Sequence, residues 1–218
     1  MLMPVRYAVV GAGWISQEAF LPAVPQTGNS RVTAIVSGNR EGAAQLAAFF
    51  SIDHVCDYRD FDALLRQDVV DAVYVAVPNP MHHDFAVRAA NAGKHVMVEK
   101  PIAISAKEAI AMIDAAARND VFLMTSYRLH NEPATLAALD ALRAGKIGEP
   151  ISFSASFGFQ SQTGNHRLKK EFWGGPLRIS ASIASMPPGT SSRRSLSRCL
   201  RWRQDRKTTR GSRRSMRA

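Results

Sequence analysis

VRYAVVGAGWIS, residues 5–16, is the stretch that decides the fold of this 218-residue chain. A short apolar run from Val5 to Val10 ends in Gly11-Ala12-Gly13-Trp14-Ile15-Ser16, and a helical composition continues to about Val24. Gly11 permits a tight turn. Gly13 lets the backbone approach a pyrophosphate, which the free N–H groups of a helix N-terminus attract. Ser16 stands where a third glycine is usual, and is small enough for close helix–strand packing. Ordinary strand–helix connections also use glycine turns, so the motif gains its meaning from the elements downstream of it.

Downstream, strand and helix patterns alternate. RVTAIVS (31–37) reads as a strand, REGAAQLAAFF (40–50) as a helix and 60–66 as a short helix. DAVYVAV (71–77) is the continuous apolar run expected of a strand buried on both faces of a parallel sheet. Residues 82–92 are helical and KHVMVE (94–99) is a strand. A helix over 105–118 has Ser105 as N-cap and Glu108 completing a capping box, and VFLMTS (121–126) is a further strand. This order predicts an α/β fold, a doubly wound parallel sheet forming a Rossmann domain over residues 1–125. After Tyr127 the pattern changes. Residues 132–144 are helical and ISFSASFGF (151–159) alternates like a half-buried strand, so 126–177 reads as the beginning of an incomplete α+β second domain.

The formal charge of +10 is distributed unevenly. Residues 1–177 carry 16 Lys and Arg against 17 Asp and Glu, whereas 178–218 carry 12 against Asp205 alone. The body is a near-neutral globular chain, without the basic face of a nucleic-acid-binding domain. Two cysteines far apart, Cys56 and Cys199, make neither a disulfide framework nor a metal cluster. No metal site is expected. The N-terminus lacks the apolar core of a signal peptide and no long apolar run occurs, so the expectation is a cytoplasmic chain with no membrane span.

The second strand ends at Ser37-Gly38-Asn39-Arg40, with no Asp or Glu to hold a ribose 2′-hydroxyl. Ser37, Asn39 and Arg40 can instead surround a 2′-phosphate, with Arg40 supplying charge-assisted hydrogen bonds. This chemistry favours NADP over NAD. The alternative is that Arg40 is a solvated first-turn residue of the next helix.

Glu99-Lys100-Pro101 comes after the strand 94–99, at a carboxyl end where ligands of open α/β sheets bind. Three segments together are specific: Val77-Pro78-Asn79-Pro80-Met81-His82, Ala92-Gly93-Lys94-His95 running into Glu99-Lys100-Pro101, and Tyr127-Arg128. They resemble the glucose–fructose oxidoreductase / inositol dehydrogenase (Gfo/Idh/MocA) family over about residues 4–177. Ser37-Gly38-Asn39 and Asp71-Ala72-Val73-Tyr74 look most like the glucose–fructose oxidoreductase branch, which holds NADP. The resemblance implies hydride transfer between a sugar or polyol carbon and nicotinamide. It implies that Gly11, Gly13, Trp14 and Ile15 contact the diphosphate, and that Ser37, Asn39 and Arg40 surround the adenosine ribose. It places Pro78, Asn79 and His82 along the cofactor crevice, with Glu99 and Lys100 at the nicotinamide as the catalytic pair. Lys100, Tyr127, Arg128 and Arg167 would face the substrate. Family members also self-associate through the second domain, which the sequence carries only in part; this chain is not expected to do so.

Trp173-Gly174-Gly175-Pro176-Leu177 resembles the glycine run preceding the family's DIGIY segment, which carries the proton-donating Tyr. Here Arg178-Ile179-Ser180-Ala181-Ser182-Ile183 stands instead. Degenerate codons for 178–192 can be chosen so that reading from the third base of the Arg178 codon spells DIGIYCINAARYLF. The expectation is therefore that one base was lost there and that 178–218 is out-of-frame text, leaving a truncated, inactive chain that keeps nucleotide binding. Two alternatives stay open. One is a non-catalytic NADP-binding module. The other takes Ser191-Ser192-Arg193-Arg194-Ser195 and Arg201-Trp202-Arg203 as a polyanion- or RNA-binding arm.

Overall fold

The computed structural model describes residues 3–148, 165 and 169–174. The predicted strand 151–159, Arg167, the run from Gly175 to Leu177 and the tail 178–218 lie outside the described residues.

Six parallel strands form one sheet: β1 (Val5–Val10), β2 (Ser30–Val36), β3 (His54–Cys56), β4 (Ala72–Val75), β5 (His95–Glu99) and β6 (Leu123–Ser126). Their order is β3-β2-β1-β4-β5-β6. The direction of winding reverses between β1 and β4, which opens a crevice beyond their carboxyl ends. Every residue of β4 is buried, as its continuous apolar run predicts.

Side-chain alternation divides the core between the two faces. On one face Ala8, Val10, Ala34, Val36, Val73 and Val75 pack with Phe61 and Leu64 of α3 (Phe61–Leu65), Phe85 and Ala89 of α4 (His82–Asn91) and Met112 of α5 (Ala106–Arg118). On the other, Val9, Ile35 and Tyr74 meet Leu21, Ile52 and Ala43 and Ala47 of α2 (Arg40–Phe50). At the amino edge of the sheet, Arg6 donates to both carboxylate oxygens of Asp71, at 2.9 and 2.7 Å, and ties the entry of β1 to that of β4.

Three local expectations change. The helix after the glycine turn is not one regular element. A π-helical turn (Ser16–Phe20) passes into a single α-turn, α1 (Leu21–Ala23), and then a 3₁₀ turn (Val24–Thr27). Pro22 and Pro25 supply no N–H, so a regular ladder cannot continue through them. Strand β3 has only three half-buried residues, too few to leave a periodic signal. The cap of α5 forms as expected on the Ser105 side, whose Oγ accepts from Glu108 N–H at 3.2 Å. The returning Glu108 carboxylate, however, accepts from Ile104 N–H, one residue before the cap. Beyond β6, Glu132 caps α6 (Pro133–Arg143) by accepting from Thr135 N–H at 2.7 Å.

Candidate functional site

Gly11 is the first residue beyond β1, and its φ of +100° is one that side chains avoid. Its N–H donates to Val36 O of β2 at 2.9 Å. On the other side β4 presses so close that a Cβ on Gly11 would lie 2.5 Å from Ala76 O. Any other residue would push the two central strands apart. At Gly13 the situation is reversed: a Cβ there meets nothing within 4 Å. Among the described residues Gly13 therefore answers to no neighbour and borders open space in front of the helix start. Ser16 N–H and Gln17 N–H return to Gly13 O, both at 3.1 Å, so the amides of Gly13, Trp14 and Ile15 precede the first closed turn. Amides in that position are donors for a diphosphate. The turn fits the dinucleotide that its sequence predicts.

Ser16 does more than stay small. It is completely buried and its hydroxyl donates to Gly11 O at 2.6 Å, closing the turn on itself. Trp14 stands out from the same turn with 70% of its surface exposed.

At the carboxyl end of β2, Ser37 is buried and its Oγ accepts from Asn39 N–H at 3.2 Å. Asn39 is the N-cap of α2, with Oδ1 accepting from Gly42 N–H at 3.0 Å. Its side-chain oxygen is thereby engaged in the helix cap. Arg40 is exposed at the first position of α2, and its charge helps hold the Asp57 carboxyl below its usual range, after the larger effect of hydrogen bonds from Arg59. The sequence reading missed Tyr58. Its ring lies where a Cβ on Gly38 would come within 3.3 Å, and burial pushes its phenol pKa up. No motif marks Tyr58; only the fold of β3 against β2 brings it here.

At the end of β4, Pro78 caps a 3₁₀ turn (Asn79–Met81) that leads into α4. His82 is a buried residue and not a surface group at the start of α4. It is 1% exposed, with Nε2 2.9 Å from Val77 O and Nδ1 2.8 Å from Pro101 O. It therefore links the segment after β4 to the segment after β5. Burial lowers its pKa, against smaller opposing effects of the two carbonyls and Glu99. Glu99 ends β5, accepts from Tyr74 O–H at 2.8 Å and from Lys100 N–H at 3.2 Å, and is followed by a cis Lys100–Pro101 bond. Glu99 pairs with Ser126 of β6, and Tyr127 comes immediately after Ser126. Tyr127 is half-buried, edge-on to His130 at 5.8 Å, and Arg128 opens the next 3₁₀ turn.

Short contacts thus run across the carboxyl edge of the sheet from Val36 through Gly11, Val77, His82 and Pro101, with Glu99 and Tyr127 at the far end. The residues singled out in sequence come together along this edge, Arg167 aside because it lies outside the described residues. Among the described residues no group of His, Cys, Asp or Glu side chains is arranged to hold a metal ion, and no helix is long and apolar enough to cross a membrane.

A parallel sheet of this order with a glycine turn at the reversal is a dinucleotide-binding Rossmann domain. The chain belongs to the oxidoreductase family with an NAD-binding Rossmann fold (Gfo/Idh/MocA), whose family model matches residues 5–127. It is similar to the D-xylose 1-dehydrogenase [NADP(+)] of Haloarcula marismortui, with 37% identity over 149 residues, covering 68% of this chain and 41% of that protein. The scyllo-inositol 2-dehydrogenase (NADP(+)) of Bacillus subtilis is 35% identical over 153 residues, 70% of this chain and 45% of the relative. Among solved structures, a 3-ketoreductase from Actinomadura kijaniata in complex with NADP and TDP-benzene matches with a TM-score of 0.74 and 34% identity, covering 80% of this chain and 53% of that one. An aldose-aldose oxidoreductase from Caulobacter crescentus, complexed with glycerol, matches with a TM-score of 0.73 and 30% identity over 83% of this chain and 56% of that one. The chain spans about half the length of these relatives.

Proposed function

We propose that this chain is the nucleotide-binding half of an NADP-dependent oxidoreductase of sugars or polyols, and that it binds NADPH in the crevice between β1 and β4. The observation that carries this reading is the contrast between the two glycines. Gly11 has no room for a side chain because the segment after β4 is there, whereas Gly13 has room that no atom of the described residues fills. Ser37, Asn39 and Arg40 take the adenosine ribose and its 2′-phosphate, Arg40 by charge. Because Asn39 Oδ1 caps α2, its amide NH₂ is the group that faces the phosphate. The NADP named in the xylose and inositol dehydrogenases supports the same preference.

NADP supplies the hydride chemistry when bound. In an intact parent Lys100, leaving the end of β5, would meet the substrate hydroxyl and share its proton with the DIGIY Tyr, while Tyr127 and Arg128, with Arg167, would orient the sugar. Where the family resemblance places DIGIY, one residue beyond Leu177, this chain has Ile179-Ser180-Ala181-Ser182-Ile183, with Ile183 in the place of the Tyr. The chain as written therefore binds nucleotide without turning over a sugar.

Fluorescence titration tests both parts. Excitation of Trp14, exposed on the glycine turn, should sensitise NADPH emission on binding. NADPH should bind more tightly than NADH, and adding xylose, glucose or inositol with NADP should yield no NADPH. Equal or absent binding of the two nucleotides removes the cofactor reading, and sugar-dependent NADPH formation removes the inactivity.

A further inference from the structure

The sequence pairs Glu99 with Lys100 as a catalytic couple, yet both carboxylate oxygens of Glu99 are already engaged. Oε1 accepts from Tyr74 O–H at 2.8 Å and Oε2 from the backbone N–H of Lys100 at 3.2 Å. Tyr74 is itself immobilised. It is 2% exposed in the middle of β4, and its ring stacks on Phe20 with centroids 3.8 Å apart and planes 8° from parallel. Phe20 ends the π-helical turn that begins at Ser16, and Tyr7 of β1 closes edge-on behind it at 5.6 Å. Tyr74 faces Met97 in the register of β4 and β5, so Glu99, two residues further on, lies on the same face within diagonal reach.

We propose that Tyr74 is a positioning residue for Lys100: held by Phe20, its phenol fixes one oxygen of Glu99 so that the other fixes the Lys100 backbone. Glu99 is then the middle of this chain of contacts and not a second proton carrier. The arrangement joins the two halves of the crevice, because the element that leaves the phosphate turn is the one that sets the ring behind Lys100. Two points fix the direction of the bond and a third its persistence. The phenol must donate, because a carboxylate only accepts. Burial, with the Glu99 charge, holds the Tyr74 pKa far above its ordinary range, so the proton stays on Tyr74. A buried planar ring stacked on Phe20 has little rotameric freedom with which to release Glu99.

The inference rests on the proposed function, in which the nicotinamide lies beside Lys100, so its test separates the two ends of the nucleotide. The full chain and its Tyr74→Phe, Glu99→Gln and doubly substituted forms are titrated with NADPH and with 2′,5′-ADP, which has the adenosine end only. Tyr74→Phe keeps the stacked ring and should fold. It should weaken NADPH about five- to tenfold, the scale of one ordinary hydrogen bond because the effect reaches the nucleotide only through Glu99 and Lys100, and leave 2′,5′-ADP within about twofold. The double form should be no weaker than the more affected single form, because the two groups act in series. Equal weakening of both ligands, or of neither, overturns the proposal: the first is a merely structural role and the second is no role. If the unsubstituted chain binds 2′,5′-ADP but not NADPH, or neither, the function reading fails by itself. Hydrogen exchange at the Lys100 amide of the nucleotide-free chain then decides. It should quicken about tenfold in Tyr74→Phe if Tyr74 holds this turn, and an unchanged rate overturns the proposal.

Discussion

His82 Nδ1 lies 2.8 Å from the carbonyl oxygen of Pro101, with Nε2 2.9 Å from Val77 O on the opposite side of the ring. A neutral imidazole has one N–H, so one of these carbonyls faces a lone pair. Protonation would satisfy both, and the nearby Glu99 charge also favours it, but burial disfavours the imidazolium more and the pKa lies below its ordinary value. The unfolded chain then binds a proton near pH 6.5 that the folded chain does not, so stability rises with pH through this window and falls below it. The melting temperature should therefore drop as pH falls from about 7 to 5.5. The drop should be shallower in His82→Asn, which has nothing to protonate. Parallel pH profiles of the two proteins would show that His82 is not the group responsible.

Gly11→Ala and Gly13→Ala should separate folding from binding. The first places a Cβ 2.5 Å from Ala76 O at a φ of +100° and should destabilise the domain by about 3 kcal/mol or more. The second meets no atom of the described residues within 4 Å, so thermal unfolding should be nearly unchanged while NADPH affinity falls at least about tenfold. Denaturant titration and nucleotide titration of both variants check the pair.

Ser16→Ala removes a buried hydroxyl that donates to Gly11 O at 2.6 Å. The carbonyl loses its partner inside the turn, and the expected loss of stability is about 1–2 kcal/mol. Ser16→Gly should lose the same hydrogen bond. Chemical denaturation of the two variants side by side tests whether the hydroxyl, and not only small size, is required here.

Arg40→Ala bears on the choice between nucleotides. Arg40 is exposed at the first turn of α2, and the cap of that helix comes from Asn39, so folding should not change. A charge-assisted hydrogen bond to a 2′-phosphate would be lost, lowering NADPH affinity roughly tenfold and leaving NADH affinity alone. Equal losses for both nucleotides would place Arg40 outside the 2′-phosphate site.

Much of the architecture is legible in the sequence because each central strand must be buried on both faces, and that leaves continuous apolar runs such as Ala8–Val10 and Ala72–Val75. The cap of one helix is equally legible, Ser105 before Ala106–Arg118, whereas the capping role of Asn39 before Arg40–Phe50 emerges only in the structure. Strand β3 is not, because three half-buried edge residues generate no pattern. The proline-broken turn after Ser16 is not, because composition there suits a helix while Pro22 and Pro25 remove the bonds that would make it regular.

The sequence by itself determined the succession of strands and helices apart from β3, the glycine turn and the set of polar residues at strand ends, since these depend on spacing and residue type along the chain. Only the tertiary structure decided what those residues do to one another. Gly11 and Ala76 meet because β1 and β4 are neighbours in the sheet, though 65 positions separate them in the chain. His82 faces inward because α4 begins between the ends of β4 and β5, where two carbonyls await it. Tyr74 reaches Glu99 because parallel register puts them on one face of adjacent strands. Contacts of this kind are set by strand pairing and register, which local propensity does not encode.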